Sequence, residues 1–340
     1  MDDAFLRALP KVELHLHLDG AIRTATILDL ARAIGHPLPG ATVAELEPHV
    51  RVPAGCRSLR DFLGAFETFY PVLRQKGAVR RIARELSEDK AAEGTVYFEA
   101  RFAPVLLTAP GLGMEDLVVE VLEGLEEGAA HGGARGRVLL CCYRPNEPAS
   151  SLETVRLAAK HRDRGVAGVD LAGPEDLPAA PHRAAFAKAR DEGLAVTVHA
   201  GEAGGPENVL EALDDLGAAR LGHGVALRRD PALRERVRAA GVTVEMCPTS
   251  NLHTCAVASI RTHPFPALLR EGLRVTVSTD DPAVSGIDLV HEYRLLVKEF
   301  GLLRDEVRRV ALHAAEGAFV AEAERSALRR RIEGFFHGRP

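Results

Sequence analysis

Eight short, β-branched runs, each followed by enough chain for a helix, constrain these 340 residues more than any other feature. They are Val12–Leu18, Thr95–Phe102, Gly136–Tyr143, Val166–Leu171, Leu194–His199, Arg220–His223, Val242–Cys247 and Arg274–Thr279. Strand patterns alternating with helical ones predict βα units, in which successive strands lie parallel and the helices cover the sheet. Eight such units are the number that closes a (β/α)8, or TIM, barrel, so the expected fold class is α/β.

Several connections carry helix signals. Ser150 and Glu153 are spaced as a capping box ahead of LETVRLAAKHRDR, and Gly165 would end that helix. Asp230-Pro231 offers an N-cap and a first-turn proline, with Gly241 as the stop. Met114–Ala130 and Pro206–Leu216 show helical apolar spacing. Residues 21–93 are too long for one crossover and hold several helical pieces, which predicts an insertion above the first strand. Beyond Asp280 the chain reads as helical. With no linker, internal repeat or low-complexity tract, residues 1–340 are expected to form a single barrel domain.

Composition removes some classes of function. The net charge of -5, from 43 basic and 48 acidic residues, comes without a basic stripe interleaved with aromatics, so a nucleic-acid partner is not expected. MDDAFLRALPKVE lacks the basic and long apolar regions of a secretory signal, and no apolar run has membrane-spanning length. Five cysteines without small-scaffold spacing suit reduced thiols, and hence the cytoplasm.

Reactive residues fall at strand ends. The first run closes on His15-Leu-His17-Leu-Asp19, and in a strand alternate residues share a face, so His15 and His17 point the same way. An H-x-H pair alone fits core or surface histidines equally well. The fifth run leads into His199-Ala-Gly-Glu202, the sixth ends at His223 between two glycines, and the eighth leads into Asp280-Asp281-Pro282. A parallel barrel opens all these ends on one face, where barrel enzymes place their sites. His15, His17, His199 and Asp280 thereby make a candidate set of three imidazoles and a carboxylate, suited to zinc with one position open.

Glu202, His223 and Asp281 are candidate proton carriers beside that set, because hydrolytic addition needs groups that align water and donate a proton. Glu202 would equally serve as a helix-start carboxylate, His223 as part of a tight turn, and Asp281 as an N-cap before Pro282. H-x-E with P-C-x-x-C is absent, as is H-E-x-x-H. The fourth run ends Asp170-Leu-Ala-Gly173-Pro with no lysine to bridge two metals, which points to a single ion.

HLHLDGAIR, SLRDFLGAF, EARFAPVLL, DLAGPE, HAGE, LGHG, CPTS and STDDP, in that order from about Leu9 to Phe319, resemble the adenosine deaminase family of the metal-dependent amidohydrolases. The resemblance implies one zinc ion per subunit on His15, His17, His199 and Asp280, with His17 also close to the substrate. It implies that His223 and Asp281 orient the attacking water at purine C6 and that Glu202 protonates N1. Gly173 would offer its N–H to purine N3, and Asp19 would bind ribose hydroxyls. Leu59, Phe62, Leu63 and Phe66 match the family's apolar lid, although their spacing alone describes any buried helix face. The implied reaction converts adenosine or 2′-deoxyadenosine to inosine or 2′-deoxyinosine and ammonia, in purine salvage. Aminodeoxyfutalosine, a menaquinone precursor, and adenine are the alternative substrates. A purine nucleoside and water are the expected partners; the sequence names no protein partner. A catalytically silent barrel used for binding would have lost Glu202 or a ligand, and this chain keeps them all.

Overall fold

The computed structural model describes residues 1–338. Its strands are β1 (Lys11–His17), β2 (Thr95–Phe102), β3 (Arg135–Tyr143), β4 (Val166–Ala172), β5 (Ala195–Ala200), β6 (Arg220–His223), β7 (Thr243–Met246) and β8 (Arg274–Val277). They form one sheet in sequence order, each pairing in parallel with the next. The ring closes where His17 N–H donates to Asp280 O at 2.8 Å and Asp280 N–H to His15 O at 3.1 Å. The expected (β/α)8 barrel is therefore present, with every strand within two residues of its expected bounds.

Apolar side chains on the outer strand faces, such as Phe98, Val138, Val169 and Val198, are fully buried in the main core. The inner face is different. Glu99, Arg101, Asp170, Arg220 and Glu245 are all 1 % exposed or less, where barrels of this type usually carry branched aliphatic layers. Arg220 spans Glu99 Oε2 at 2.6 Å and Glu245 Oε1 at 2.5 Å. Arg101 spans Glu245 Oε2 at 2.7 Å and Asp170 Oδ2 at 3.0 Å. Buried charges cost several kcal/mol each unless paired, and here signs alternate around the barrel.

Between β1 and β2 stand five helices, at Thr24–Ile34, Val43–Val50, Leu59–Leu63, Tyr70–Leu73 and Ala78–Ala92, with 3-10 turns between. The last packs beside the helix Met114–Ala130, as an ordinary crossover helix does. Asp230 caps the helix Pro231–Ala239 by accepting from Leu233 N–H at 3.0 Å, as expected. The capping box at Ser150 and Glu153 does not form. That helix starts earlier, at Pro148, whose fixed φ suits the first helical position; Ser150 lies inside it and Glu153 pairs with Arg156. Past Asp280 the chain is helical at Pro282–Ser285, Leu289–Lys298, Arg304–Gly317 and Glu322–Phe336. Among the described residues no helix is long and apolar enough to cross a membrane.

Candidate active site

One cavity opens at the C-terminal ends of the strands. His17 at the end of β1 and Asp19 just past it, His199 in β5 and Glu202 after it, His223 from β6, and Asp280 and Asp281 after β8 all line it. Gly173 lines it from the loop after β4, and Leu59, Phe62, Leu63 and Phe66 cover it. His15 lies directly behind that wall, fully buried.

Side chains converge tightly at its floor. His15 Nε2 lies 3.2 Å from Asp280 Oδ1, His17 Nε2 3.4 Å from the same oxygen, and the Nε2 atoms of His17 and His199 are 3.1 Å apart. His223 joins His15, His199 and Asp280 in offering donor atoms within 4.8 Å of one another. Neither His15 Nε2 nor Asp280 Oδ1 has a hydrogen-bond partner, although both are buried. Lone pairs so placed repel unless a cation lies between them, and unpaired buried polar atoms are costly. The residues therefore fit a metal ion of the imidazole-and-carboxylate type.

Carboxylates behind the ring prepare the imidazoles. His15 Nδ1 donates to Glu245 Oε2 at 2.8 Å, and His199 Nδ1 lies 2.9 Å from Asp170 Oδ2. His15 thereby keeps its hydrogen on Nδ1 and turns an Nε2 lone pair inward, and the carboxylate beside His199 Nδ1 suits the same arrangement, which supports metal-bound histidines. Arg101 bridges both carboxylates and also donates to Leu14 O at 2.6 Å. Burial, then the nearby Arg101 and His223, lowers His15 to a pKa of about 4, so the ring is neutral and available as a ligand. Burial would raise Asp280, but the surrounding histidines outweigh it and hold the carboxyl well below its ordinary value.

Several local sequence choices make this possible. A Cβ on Gly222 would come within 2.8 Å of His15 Cε1, so the glycine before His223 makes room for the neighbouring imidazole. A Cβ on Gly20 would sit 1.8 Å from Asp281 Oδ1; the glycine of HLDG is the seat of that carboxylate. Gly173, at φ 102°, occupies backbone space that favours glycine, and a Cβ there would press on the Tyr143 ring at 2.8 Å. His223 and Asp280 adopt φ of 61° and 64°, a left-handed conformation that costs ~1–2 kcal/mol for a side chain with a Cβ. Such strain concentrates at functional sites.

The cavity groups differ electrostatically. Burial pushes the Glu202 carboxyl upward against the pull of His223, favouring a protonated acid. Asp281, buried beside Asp280, is pushed well above its usual range, and its Oδ1 has no hydrogen-bond partner. Asp19 accepts from Tyr70 Oη–H at 2.7 Å through Oδ2, while its buried Oδ1 is unpartnered. The lid begins at Ser58, whose side chain accepts from Asp61 N–H at 3.1 Å and caps Leu59–Leu63; Phe62 and Phe66 are buried over the cavity.

Residues 10–335 match the family model described as adenosine deaminase. The adenosine deaminase of Clostridium botulinum (strain 657 / Type Ba4) is 38 % identical over 329 residues, covering 96 % of this chain and 99 % of that protein. The chain belongs to the adenosine deaminase family. Solved structures similar to this family member agree in fold. An adenine deaminase from Arthrobacter aurescens superposes with a TM-score of 0.90 at 28 % identity, over 97 % of this chain and 100 % of that one. A zinc-bound amidohydrolase from Burkholderia ambifaria gives 0.88 at 26 %, over 98 % and 93 %. The N6-methyl-AMP deaminase of Arabidopsis thaliana gives 0.84 at 30 %, over 98 % of each. As a member of that family this chain is a hydrolase of the amidohydrolase type.

Sequence reasoning missed the groups behind the cavity: Arg101, Asp170 and Glu245, together with Ser250 and Asn251 on the helix Pro248–His253 and Thr254 just past its end. Ser250 Oγ–H donates to Asp280 Oδ2 at 2.6 Å, and Thr254 Oγ1–H to Glu202 Oε1 at 2.8 Å. The available signal was a charged residue inside an otherwise apolar strand, as in EARF, VDLA and VEMC. Arg144, just after β3, anchors the rim by donating to His199 O at 2.8 Å.

Proposed function

We propose that this protein hydrolyses adenosine and 2′-deoxyadenosine to inosine, or 2′-deoxyinosine, and ammonia, with one zinc ion held by His15, His17, His199 and Asp280. The convergence of unpartnered His15 Nε2 and Asp280 Oδ1 with the two facing Nε2 atoms of His17 and His199, beside the buried Glu202 carboxyl, carries the reading. Zinc bound there supplies Lewis acidity that makes water nucleophilic near neutral pH. Glu202, whose hold on a proton burial strengthens, gives that proton to purine N1 and so drains electron density from C6. His223 and Asp281 face the same space and align the water, with Asp281 Oδ1 free to accept a hydrogen. Gly173 N–H meets N3, which fixes the ring's orientation, and the Leu59–Phe66 lid excludes bulk water.

The buried, unpartnered Asp19 Oδ1 favours a nucleoside over a free base, because a ribose hydroxyl would satisfy it. The likeness to an adenine deaminase supports adenine as the rival substrate. Steady-state deamination of adenosine, 2′-deoxyadenosine, adenine, AMP and aminodeoxyfutalosine, at matched zinc content, decides between them. The two nucleosides are expected to give the highest kcat/KM. Turnover of a rival orders of magnitude faster than adenosine would replace this reading.

A further inference from the structure

Hydrogen placement behind the catalytic groups can be deduced link by link, starting from a group that can only donate. Phe265 N–H donates to His263 Nδ1 at 3.1 Å, so Nδ1 carries a lone pair. His263 is buried and stacked on Phe300; burial, then Arg228 and His223, lowers its pKa to about 3, so the ring is neutral. Its single hydrogen must therefore sit on Nε2, which lies 3.2 Å from Asn251 Oδ1. That contact fixes the amide: a flipped Asn251 would turn N–H toward N–H. The Asn251 NH2 group then faces two acceptors, His223 Nδ1 at 3.0 Å and Glu202 Oε1 at 3.3 Å.

Both catalytic groups inherit the consequence. With Nδ1 accepting, the hydrogen of the His223 ring sits on Nε2. With Oε1 accepting from Asn251 and from Thr254 at 2.8 Å, the acid proton of Glu202 belongs on Oε2. Oε2 and His223 Nε2 are 3.6 Å apart, beyond hydrogen-bond range, so neither satisfies the other. We propose that Asn251, locked in one orientation by His263, is a positioning residue that places the hydrogens of Glu202 and His223 where substrate and water meet them. His223 then acts as a hydrogen-bond donor through Nε2–H, and proton transfer to N1 starts from Glu202 Oε2. The inference rests on the reading of Glu202 and His223 under Proposed function.

Nitrogen NMR of histidine-labelled protein, with and without zinc, reads the tautomers directly, with signals assigned by their loss in His223→Gln and His263→Gln. Both rings are expected to carry hydrogen on Nε2 and a lone pair on Nδ1; an Nδ1–H form at either overturns the proposal. Asn251→Asp offers only acceptors, so His223 should take a hydrogen on Nδ1 and kcat should fall ~10²-fold or more with KM little changed, as a wrong tautomer does elsewhere. An unaltered tautomer in that variant overturns the proposal. His263→Gln can still donate to Asn251 and should keep the tautomer and most of kcat, whereas His263→Phe should lose both. Equal impairment of these two variants with an unchanged His223 spectrum is the contrary result, and this pair decides should Asn251→Asp fail to fold. If the wild-type protein deaminates no aminopurine, the functional reading fails while the spectra still decide the hydrogen placement.

Discussion

Replacing Arg101 by Met tests how the barrel interior supports the site. The guanidinium is fully buried and is a cation shared by Asp170 and Glu245, at 3.0 and 2.7 Å. Met fills similar volume but leaves two buried carboxylates short of a partner. Breaking one buried pair costs about 3–5 kcal/mol, and the two share a donor, so about 4–6 kcal/mol is expected rather than the sum. That is a large part of the stability of an ordinary domain. The cost depends on pH. Burial would raise both carboxyls, but neighbouring cations, Arg101 among them, hold them below their ordinary values, so wild-type stability is lost as pH falls through those values. In Arg101→Met both carboxyls lose a cation and shift upward, although Arg220 still faces Glu245, so the deficit is felt where they are ionised and shrinks as pH falls. Urea unfolding at pH 5 and pH 8 should show a larger deficit at pH 8. Because the same carboxylates orient His15 and His199, zinc affinity measured by chelator competition should fall 10–100-fold. A deficit under about 1 kcal/mol at both pH values, with zinc affinity unchanged, refutes the reasoning; Arg101→Lys should fall between, keeping the charge but not the fork.

Three further outcomes are expected. Glu202→Gln should keep its zinc yet lose ~10²–10⁴-fold in kcat, and near-normal turnover would remove Glu202 from proton transfer. Gly20→Ala should displace Asp281, whose Oδ1 occupies the space of the added methyl, and kcat should drop with little loss of bound metal; unchanged kinetics would show that Asp281 is not needed where it sits. Glu292 is fully buried, and burial raises its carboxyl to about 8 even though Thr249 N–H donates to it at 3.0 Å. The native state therefore holds a proton that the unfolded state releases, and stability falls between about pH 5 and 8. Glu292→Gln should lift Tm more at pH 8 than at pH 5, by the equivalent of a few kcal/mol at most; an equal shift at both would contradict the burial argument.

The strands were readable because β-branched periodicity reports local backbone preference, and the site because its residues cluster where those strands stop. The charged barrel interior was not. In β2 Glu99 and Arg101 alternate with Phe98, Ala100 and Phe102, a pattern that ordinarily puts polar residues toward water. Here the apolar face meets the surrounding helices and the polar face points into the barrel, an inversion that only ring closure creates. Asn251 was hidden for a related reason: its role comes from contacts to Glu202, His223 and His263, 49, 28 and 12 residues away. The expected box at Ser150 yielded to Pro148, two residues upstream, because a proline at the first helical position sets the start by its own geometry.

Metal stoichiometry of freshly purified, active protein bears most directly on the central claim that four side chains from three strand ends converge on one ion. One zinc per chain, with activity lost on chelation and restored by zinc and with sharply weakened retention in Asp280→Ala, is the expected result. Full activity in metal-free protein, or zinc retained undiminished by Asp280→Ala, would contradict it.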